Sequence, residues 1–279
     1  MLYTNHQIFS SNIQTILILV LLQLSGSIVF AQGNKLLIED VVFISKMDGS
    51  EQHYVEIKPV GFDENKTYHL MIALHGHGSD RWQFVESDRS ECAATRSIAE
   101  KYKMIMVSPD YRAKTSWMGP AAESDLNQII EELKAKYEVD KVFLMGGSMG
   151  GTSALTYAAL HPNQIDGVTS LNGHANHLEY ENFQDAISSS FGGHKAEIPE
   201  EYKKRSAEYW PERLTMPIAF TVGEFDESVP GTSILRLVEI LERLKREVLL
   251  IVHPKGGHST NLIESKVALE FMIESAIKK

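Results

Sequence analysis

Short apolar runs and longer amphipathic segments follow one another along most of the chain. Eight runs have the length and side-chain composition of strands, and they span residues 36–44, 53–58, 68–74, 104–107, 142–145, 167–171, 217–222 and 248–252. Segments with helical character lie at 81–101, 121–137, 153–160, 232–246 and 261–277. Because strand and helix alternate after an opening antiparallel pair, the pattern predicts an α/β fold. We expect a mostly parallel sheet of about eight strands with helices on both faces.

The beginning of the chain has a different composition. Residues 1–33 contain no Asp, Glu, Lys or Arg, Ile16–Leu22 is continuously apolar, and Val29-Phe30-Ala31 fits the small-x-Ala pattern of a cleavage site. We predict a signal peptide at 1–31, cleavage after Ala31, and one mature domain at 32–279 that is secreted or periplasmic and has no stable membrane association. An uncleaved anchor is the alternative, since the n-region has His6 but no Lys or Arg.

Composition narrows the classes of partner and cofactor. The 279 residues carry a net charge of −10, which disfavours nucleic acid as a partner. Cys92 is the only cysteine, so an intramolecular disulfide is excluded. The eleven histidines do not fall at the spacing of a metal-binding helix motif. We therefore expect no metal or organic cofactor, while the oligomeric state stays open.

The segment Gly146-Gly147-Ser148-Met149-Gly150 joins a predicted strand directly to a predicted helix. A serine in such a turn is held in a strained backbone conformation that exposes its hydroxyl at the sheet edge. Side chains at positions 146 and 150 would collide with each other or with neighbouring strands, so glycine is needed at both. The sequence predicts that Ser148 is a nucleophile; the alternative is a glycine-rich turn with an incidental serine.

A serine hydroxyl needs a histidine base, itself oriented by a carboxylate, to act as a nucleophile at neutral pH. The loops after the last two predicted strands supply both residue types. We assign Asp226 as the acid, with Glu224 and Glu227 as neighbouring alternatives. We assign His258 as the base, because the two glycines before it leave room for its loop to approach the serine. The competing His253 lies at the strand end, where a packed or hydrogen-bonded role is simpler.

Hydrolysis through a tetrahedral intermediate also needs two preorganised N–H donors for the oxyanion. The backbone N–H of Met149 is one predicted donor, because this residue directly follows the nucleophile. The second is expected from the turn after the strand at 68–74, where His77 is favoured and Gly78 is the near alternative. A backbone turn at this place also accounts for the His-Gly-His-Gly pattern without a metal.

Loops on the same predicted side of the sheet contain candidate substrate contacts. Three residues are assigned this role, with ordinary packing as the alternative: Trp117, His174 and His177. The irregular segment 175–213 is a candidate cap or lid. Asp110 and Arg112 are a candidate structural ion pair.

Five motifs together resemble the α/β-hydrolase superfamily: residues 75–78, 117–125, 146–151, 223–230 and 256–258. The order serine, acid, histidine along the chain is also that of the superfamily. Over about residues 60–277 the chain is similar to the prolyl-oligopeptidase-type catalytic domain and to secreted feruloyl, acetyl-xylan and polyhydroxyalkanoate-depolymerase-like esterases. Because these branches share their motifs, the resemblance implies a Ser-His-Asp hydrolase without fixing its substrate.

The resemblance leads to one main expectation and two alternatives. We expect a serine hydrolase that cleaves a small-molecule or oligosaccharide-linked ester through an acyl-enzyme. The first alternative is a prolyl-oligopeptidase-type peptidase acting on short peptides. A propeller-gated form is disfavoured, because only about thirty residues lie between the predicted leader and this region. The second alternative is a hydrolase-fold binding protein without catalysis.

Overall fold

The computed structural model describes residues 36–278. The predicted signal peptide at 1–31 and its cleavage after Ala31 therefore lie outside the described residues. Within the described part of the chain, no helix combines the length and the apolar character that crossing a membrane requires.

One eight-stranded sheet forms the centre of the molecule, with the strand order β1-β2-β4-β3-β5-β6-β7-β8. The strands are β1 (Leu37–Ile44), β2 (Glu51–Lys58), β3 (Tyr68–Leu74), β4 (Ile105–Pro109), β5 (Val139–Gly147), β6 (Gly167–Leu171), β7 (Ile218–Gly223) and β8 (Val248–His253). The β1–β2 and β2–β4 pairs are antiparallel, and all other pairs are parallel. The predicted fold class is confirmed, including the antiparallel opening.

Eight α-helices connect and cover these strands. They are α1 (Gln83–Glu86), α2 (Ser90–Lys101), α3 (Pro120–Lys136), α4 (Met149–Leu160), α5 (Gln184–Phe191), α6 (Pro199–Lys204), α7 (Thr232–Arg243) and α8 (Leu262–Ile277) among the described residues. The segment 81–101, which was predicted to have helical character, contains the two helices α1 and α2, because the chain is interrupted after Glu86. Ser87 is extended there, and its hydroxyl accepts the N–H of Arg89, which competes with helical bonding.

The core lies in two layers, one on each face of the sheet. Adjacent residues of a strand point to opposite faces, so Ile72 packs in one layer and Met71 in the other. Leu144 and Phe143 divide in the same way. Helices α3, α4 and α7 cover the first layer, while α2 and α8 cover the second. This alternation explains why the central strands read as continuous apolar runs.

The segment 175–213 contains α5, α6 and two short 3-10 turns. Its buried Arg205 donates hydrogen bonds to the carbonyl of Met118 at 2.7 Å and to Glu123 at 2.7 Å, and it pairs with Glu201 at 2.6 Å. These bonds attach the segment to the loop before α3 and to the first turn of that helix. The opening of this segment as a lid stays a prediction.

The structure corrects one predicted ion pair. Asp110 pairs with Arg81 at 2.9 Å rather than with Arg112. Arg112 instead reaches the buried Asp125 at 2.9 Å and the exposed Asp48 at 2.8 Å. Both residues follow β4, and the sequence gives no indication that their side chains point to different elements.

Candidate active site

The turn between β5 and α4 has the geometry expected of a nucleophile-bearing turn. Ser148 has φ 58° and ψ −123°, a strained conformation for a residue with a side chain. A Cβ added to Gly146 would lie 2.3 Å from the backbone of Gly150, and one added to Gly150 would lie 1.9 Å from the carbonyl oxygen of Leu74. Both predicted glycine requirements are therefore confirmed. The N–H of Ser148 donates to Leu171 at 2.8 Å, which fixes the turn to β6.

The structure brings the three predicted catalytic side chains together. His258 Nε2 lies 2.8 Å from Ser148 Oγ, and His258 Nδ1 lies 2.7 Å from Asp226 Oδ2. Since the carboxylate accepts the Nδ1 proton, Nε2 is left as the acceptor facing the serine hydroxyl. The arrangement is therefore able to withdraw a proton from Ser148 during attack on a carbonyl.

The loop after β7 holds the carboxylate in place. Asp226 is only 6% exposed, and its Oδ1 accepts the N–H groups of Ser228 at 3.0 Å and Val229 at 2.9 Å. The alternatives Glu224 and Glu227 are both exposed. The geometry therefore favours Asp226, whose second oxygen is free for the imidazole.

The loop that carries His258 is tied to two strand ends by a polar network that the sequence analysis missed. Asn172 Oδ1 accepts from the hydroxyls of Thr221 at 2.8 Å and Thr260 at 3.0 Å, and its Nδ2 donates to the carbonyl of Gly257 at 3.3 Å. Asn172 has φ 50°, in the left-handed region that asparagine tolerates best among residues with side chains. The available signal was an asparagine followed by glycine directly after a strand.

The competing histidine occupies a different position. His253 is the last residue of β8, and its Nδ1 lies 2.8 Å from Glu264 on α8. That pair links the strand to the helix beside it. The structure gives His253 no contact with Ser148, in agreement with the predicted hydrogen-bonded role.

The turn after β3 presents one of the two predicted alternatives for the second oxyanion donor. The N–H of Gly78 donates to the carbonyl of Lys114 at 2.7 Å, so it is already engaged. The N–H of Gly76 is likewise engaged, by Gln83 Oε1 at 2.8 Å. Among the described residues, the N–H of His77 has no such acceptor, which favours His77 as donor. Met149 N–H lies at the start of α4, where backbone donors are free of helical bonding.

Two open pockets of about 680 Å³ and about 370 Å³ flank Ser148. Ser148, His258 and Gln83 line both of them. The larger pocket includes the His77 turn, and its remaining wall is mostly polar. The further residues of that wall are Ser79, Asp80, Trp82, Glu86, Ser87, Arg89, Phe183 and Ser228. A polar, open cleft suits a hydrated substrate better than a long aliphatic chain.

The three predicted substrate contacts do not line these pockets. Trp117, His174 and His177 are at most 1% exposed and form an aromatic layer behind the His77 turn. Burial lowers the pKa of His174 to about 3, and it lowers the pKa of His177 well below the usual value. Both imidazoles are therefore neutral, and the described geometry supports their alternative role as packing residues.

Across residues 36–278, no group of three or more His, Cys, Asp or Glu side chains has the arrangement of a metal site.

Comparisons with known proteins agree with this geometry. A family model for the alpha/beta hydrolase fold matches residues 79–200. A 2-hydroxy-6-oxononadienedioate/2-hydroxy-6-oxononatrienedioate hydrolase from Cupriavidus pinatubonensis is 20% identical over 133 residues, which make up 47% of this chain and 44% of that protein. The matched region thus spans less than half the length of that relative.

Solved structures extend the likeness to nearly the whole described region. An acylaminoacyl peptidase from Pyrococcus horikoshii has a TM-score of 0.68 at 17% identity, over 88% of this chain and 42% of that one. A ferulic acid esterase has a TM-score of 0.66 at 15% identity, over 87% of this chain and 99% of that one. At these identities the likeness establishes the fold alone, and the family model agrees with it: the chain has an α/β-hydrolase fold.

Proposed function

We propose that the protein is a serine hydrolase that cleaves a carboxylic ester. The observation that carries this proposal is the continuous hydrogen-bonded series Ser148–His258–Asp226, with distances of 2.8 and 2.7 Å. Ser148 Oγ attacks the ester carbonyl while His258 Nε2 takes its proton, and Asp226 orients the imidazole and stabilises its charged form. His258 then returns the proton to the departing alcohol, leaving an acyl group on Ser148.

The remaining steps use the same residues. The backbone N–H groups of Met149 and His77 stabilise the negative charge on the tetrahedral intermediate, because they are preorganised and need no rearrangement. Water, deprotonated by His258, then attacks the acyl-enzyme and releases the acid. This proposed sequence requires no metal or organic cofactor.

The pocket walls support an ester of a polar alcohol, such as an oligosaccharide-linked ester. Ser79, Gln83 and Ser87 offer hydrogen-bonding groups along the larger pocket. Sugar hydroxyls would replace the water that such walls otherwise bind. We further propose that the predicted leader exports the enzyme to the compartment where such a substrate occurs, which N-terminal sequencing of protein from the native host would test.

A serine peptidase is the second candidate, and one observation favours it. Glu86 is exposed in the wall of the larger pocket, where its carboxylate can pair with the ammonium group of a peptide. Asp80 lies in the same wall, but Lys114 lies 3.4 Å from its carboxylate and already offsets its charge. The ferulic acid esterase and the acylaminoacyl peptidase have nearly equal structural likeness, so substrate preference needs a direct test.

The test is a turnover panel with the wild type and Ser148→Ala. It sets acetyl, butyryl and feruloyl esters against alanyl and prolyl anilides, and it includes labelling by a fluorophosphonate. We expect ester turnover and labelling that both depend on Ser148, with a loss of roughly six orders of magnitude in kcat for the variant. Anilide turnover without ester turnover would establish the peptidase. Absence of labelling and of all turnover would favour a binding protein.

A further inference from the structure

The two ring nitrogens of His77 lie in different surroundings. A hydrogen bond from a buried tryptophan determines which of them carries the proton. Trp117 Nε1 lies 3.2 Å from His77 Nδ1. An indole N–H only donates, so Nδ1 accepts this bond and carries no proton of its own. The neutral imidazole must then hold its proton on Nε2. Burial also lowers the pKa of His77, which favours the neutral ring.

The partner of this bond is held rigidly. Trp117 is 0% exposed, and it has φ 43°, followed by φ 57° at Met118. Two consecutive residues with side chains in the left-handed region persist only when the surroundings fix them. Arg205 donates to the carbonyl of Met118 at 2.7 Å, and the hydroxyl of Ser190 donates to the carbonyl of Ser116. The segment 175–213 thus supplies the bonds that hold Trp117 in place.

The other side of the imidazole faces the larger pocket. His77 lines that pocket together with Ser148, and the ring of Phe183 packs against it with centroids 4.4 Å apart. Since Nδ1 points to the buried indole, Nε2 points away from it. Within the described part of the chain, Nε2 has no protein acceptor and is not among the buried unpaired atoms. A donor is therefore available beside the nucleophile.

We infer that the His77 imidazole is a substrate-binding donor whose Nε2–H selects an oxygen of the substrate, and that Trp117 is the positioning residue that fixes this tautomer. The inference rests on the proposed function, because it concerns the substrate of the Ser148 site. The backbone N–H of His77 keeps its separate role at the oxyanion. A hydroxyl, ether or carbonyl oxygen of a carbohydrate-linked ester has the acceptor that this donor requires.

The tautomer is measured directly by long-range 15N–1H NMR correlation on the resting enzyme. His77→Gln identifies the His77 signals by their loss. We expect the Nε2–H tautomer in the wild type at pH 7. In Trp117→Phe we expect a mixture of tautomers that protonates at higher pH than in the wild type, because Nδ1 is freed. The Nδ1–H tautomer in the wild type, or unaltered signals in Trp117→Phe, would overturn the positioning role.

Kinetics tests the selection of oxygen. Phenyl acetate has no acceptor beyond the ester itself, whereas an acetylated methyl glucoside has several. For His77→Ala we expect kcat/KM on the sugar ester to fall about tenfold more than kcat/KM on phenyl acetate, because only the sugar ester loses a hydrogen bond to the side chain. His77→Gln, whose amide N–H lies near the position of Nε2, should recover most of the loss. Equal losses on both esters, or no turnover of the sugar ester by the wild type, would refute the inference.

Controls distinguish a failure of this inference from a loss of folded protein and from a failure of the proposed function. Trp210→Phe removes another indole donor, which bonds to the carbonyl of Lys203 at 3.1 Å, and it should leave both rates unchanged. Thermal melting of each variant reports any loss of folded protein. If Ser148 of the wild type neither reacts with a fluorophosphonate nor cleaves phenyl acetate, the proposed function fails. The tautomer measurement still gives its own answer in that case.

Discussion

Two histidine–carboxylate pairs lie near the end of β8, and only one of them is joined to a serine. His258 is 2.7 Å from Asp226, and His253 is 2.8 Å from Glu264. As isolated pairs they are almost identical. The difference lies at the second ring nitrogen of His258, which is 2.8 Å from Ser148 Oγ. The serine beyond the pair is therefore what makes His258, and not His253, the candidate general base.

The surroundings of the two carboxylates also differ. The Asp226 side chain is 1% exposed and accepts two backbone N–H bonds besides the imidazole. The Glu264 side chain is 19% exposed, and its histidine partner is 39% exposed. Ion pairs that contact water contribute little to stability, whereas a buried carboxylate with fixed donors holds its partner in one orientation. Asp226 therefore holds the His258 imidazole in one orientation, whereas the His253–Glu264 pair attaches α8 to β8.

Exchanging each histidine for alanine gives the largest expected contrast. His258→Ala removes the proposed base, and we expect kcat to fall by about six orders of magnitude, as for removal of a catalytic-triad base. His253→Ala removes only a partly exposed pair, so kcat should stay within about threefold. Ester turnover at saturating substrate measures both. A loss in His253→Ala comparable to that in His258→Ala would show that the wrong histidine was assigned.

Neutralising each carboxylate gives the next contrast. Asp226→Asn keeps the shape of the side chain but can stabilise the wrong tautomer of His258, so we expect kcat to fall about 10⁴-fold. Glu264→Gln should leave kcat unchanged and lower the free energy of unfolding by at most about 1 kcal/mol. Steady-state kinetics and urea unfolding are the measurements. Full activity in Asp226→Asn would return Glu224 and Glu227 to consideration.

The sequence predicted the parts of the site that depend on chain direction. Apolar runs mark the strands, the carboxyl ends of parallel strands lie at one edge, and the loops there contain Ser148, Asp226 and His258. The glycines at 146 and 150 could be inferred because backbone crowding in the turn is local. These features depend on the order and spacing of residues along the chain, which can be read directly from the sequence.

The sequence does not show which loop side chains are buried and which face the pocket. Trp117 and His174 lie in loops at the correct edge, yet their side chains point away from the pocket and pack behind the turn that holds His77. The network around Asn172 was missed for the same reason, since its partners come from β7 and from the loop between β8 and α8. Which side of a loop faces solvent depends on packing between segments that are distant along the chain.

A third histidine–carboxylate pair, His161 and Glu123, lies far from Ser148. It extends the comparison to the dependence of stability on pH. Burial alone would raise the pKa of Glu123, but hydrogen bonds from His161 and Arg205 more than offset it and lower the pKa to about 2. A lowered carboxyl pKa stabilises the fold above the unfolded value of about 4.5, and this contribution is lost as the pH falls from there towards 2. Its size is at most about 3 kcal/mol, at 1.36 kcal/mol per pKa unit, because contact with solvent screens the pair.

Urea unfolding of the wild type and Glu123→Gln measures this contribution. The difference in the free energy of unfolding should be present at pH 7 and should shrink between about pH 4.5 and pH 2. Ester turnover per folded molecule should stay unchanged, in contrast to Asp226→Asn. A stability difference that does not depend on pH would mean that the charge of Glu123 is not what stabilises the fold.

The smallest expected effect tests whether the loop before His258 helps to position the imidazole, in addition to its bond with Asp226. A Cβ on Gly223 would lie 2.2 Å from the carbonyl oxygen of Gly257, so Gly223→Ala must displace the loop before His258. A Cβ on Gly257 would meet no atom within 4 Å, which makes Gly257→Ala the matched control. We expect kcat/KM to fall about tenfold in the first variant and to stay within about threefold in the second, because misplacing a base costs rate even when its partners are intact. Equal rates in the two variants would mean that the imidazole is positioned by Asp226 alone, and that the loop contributes nothing to the difference between His258 and His253.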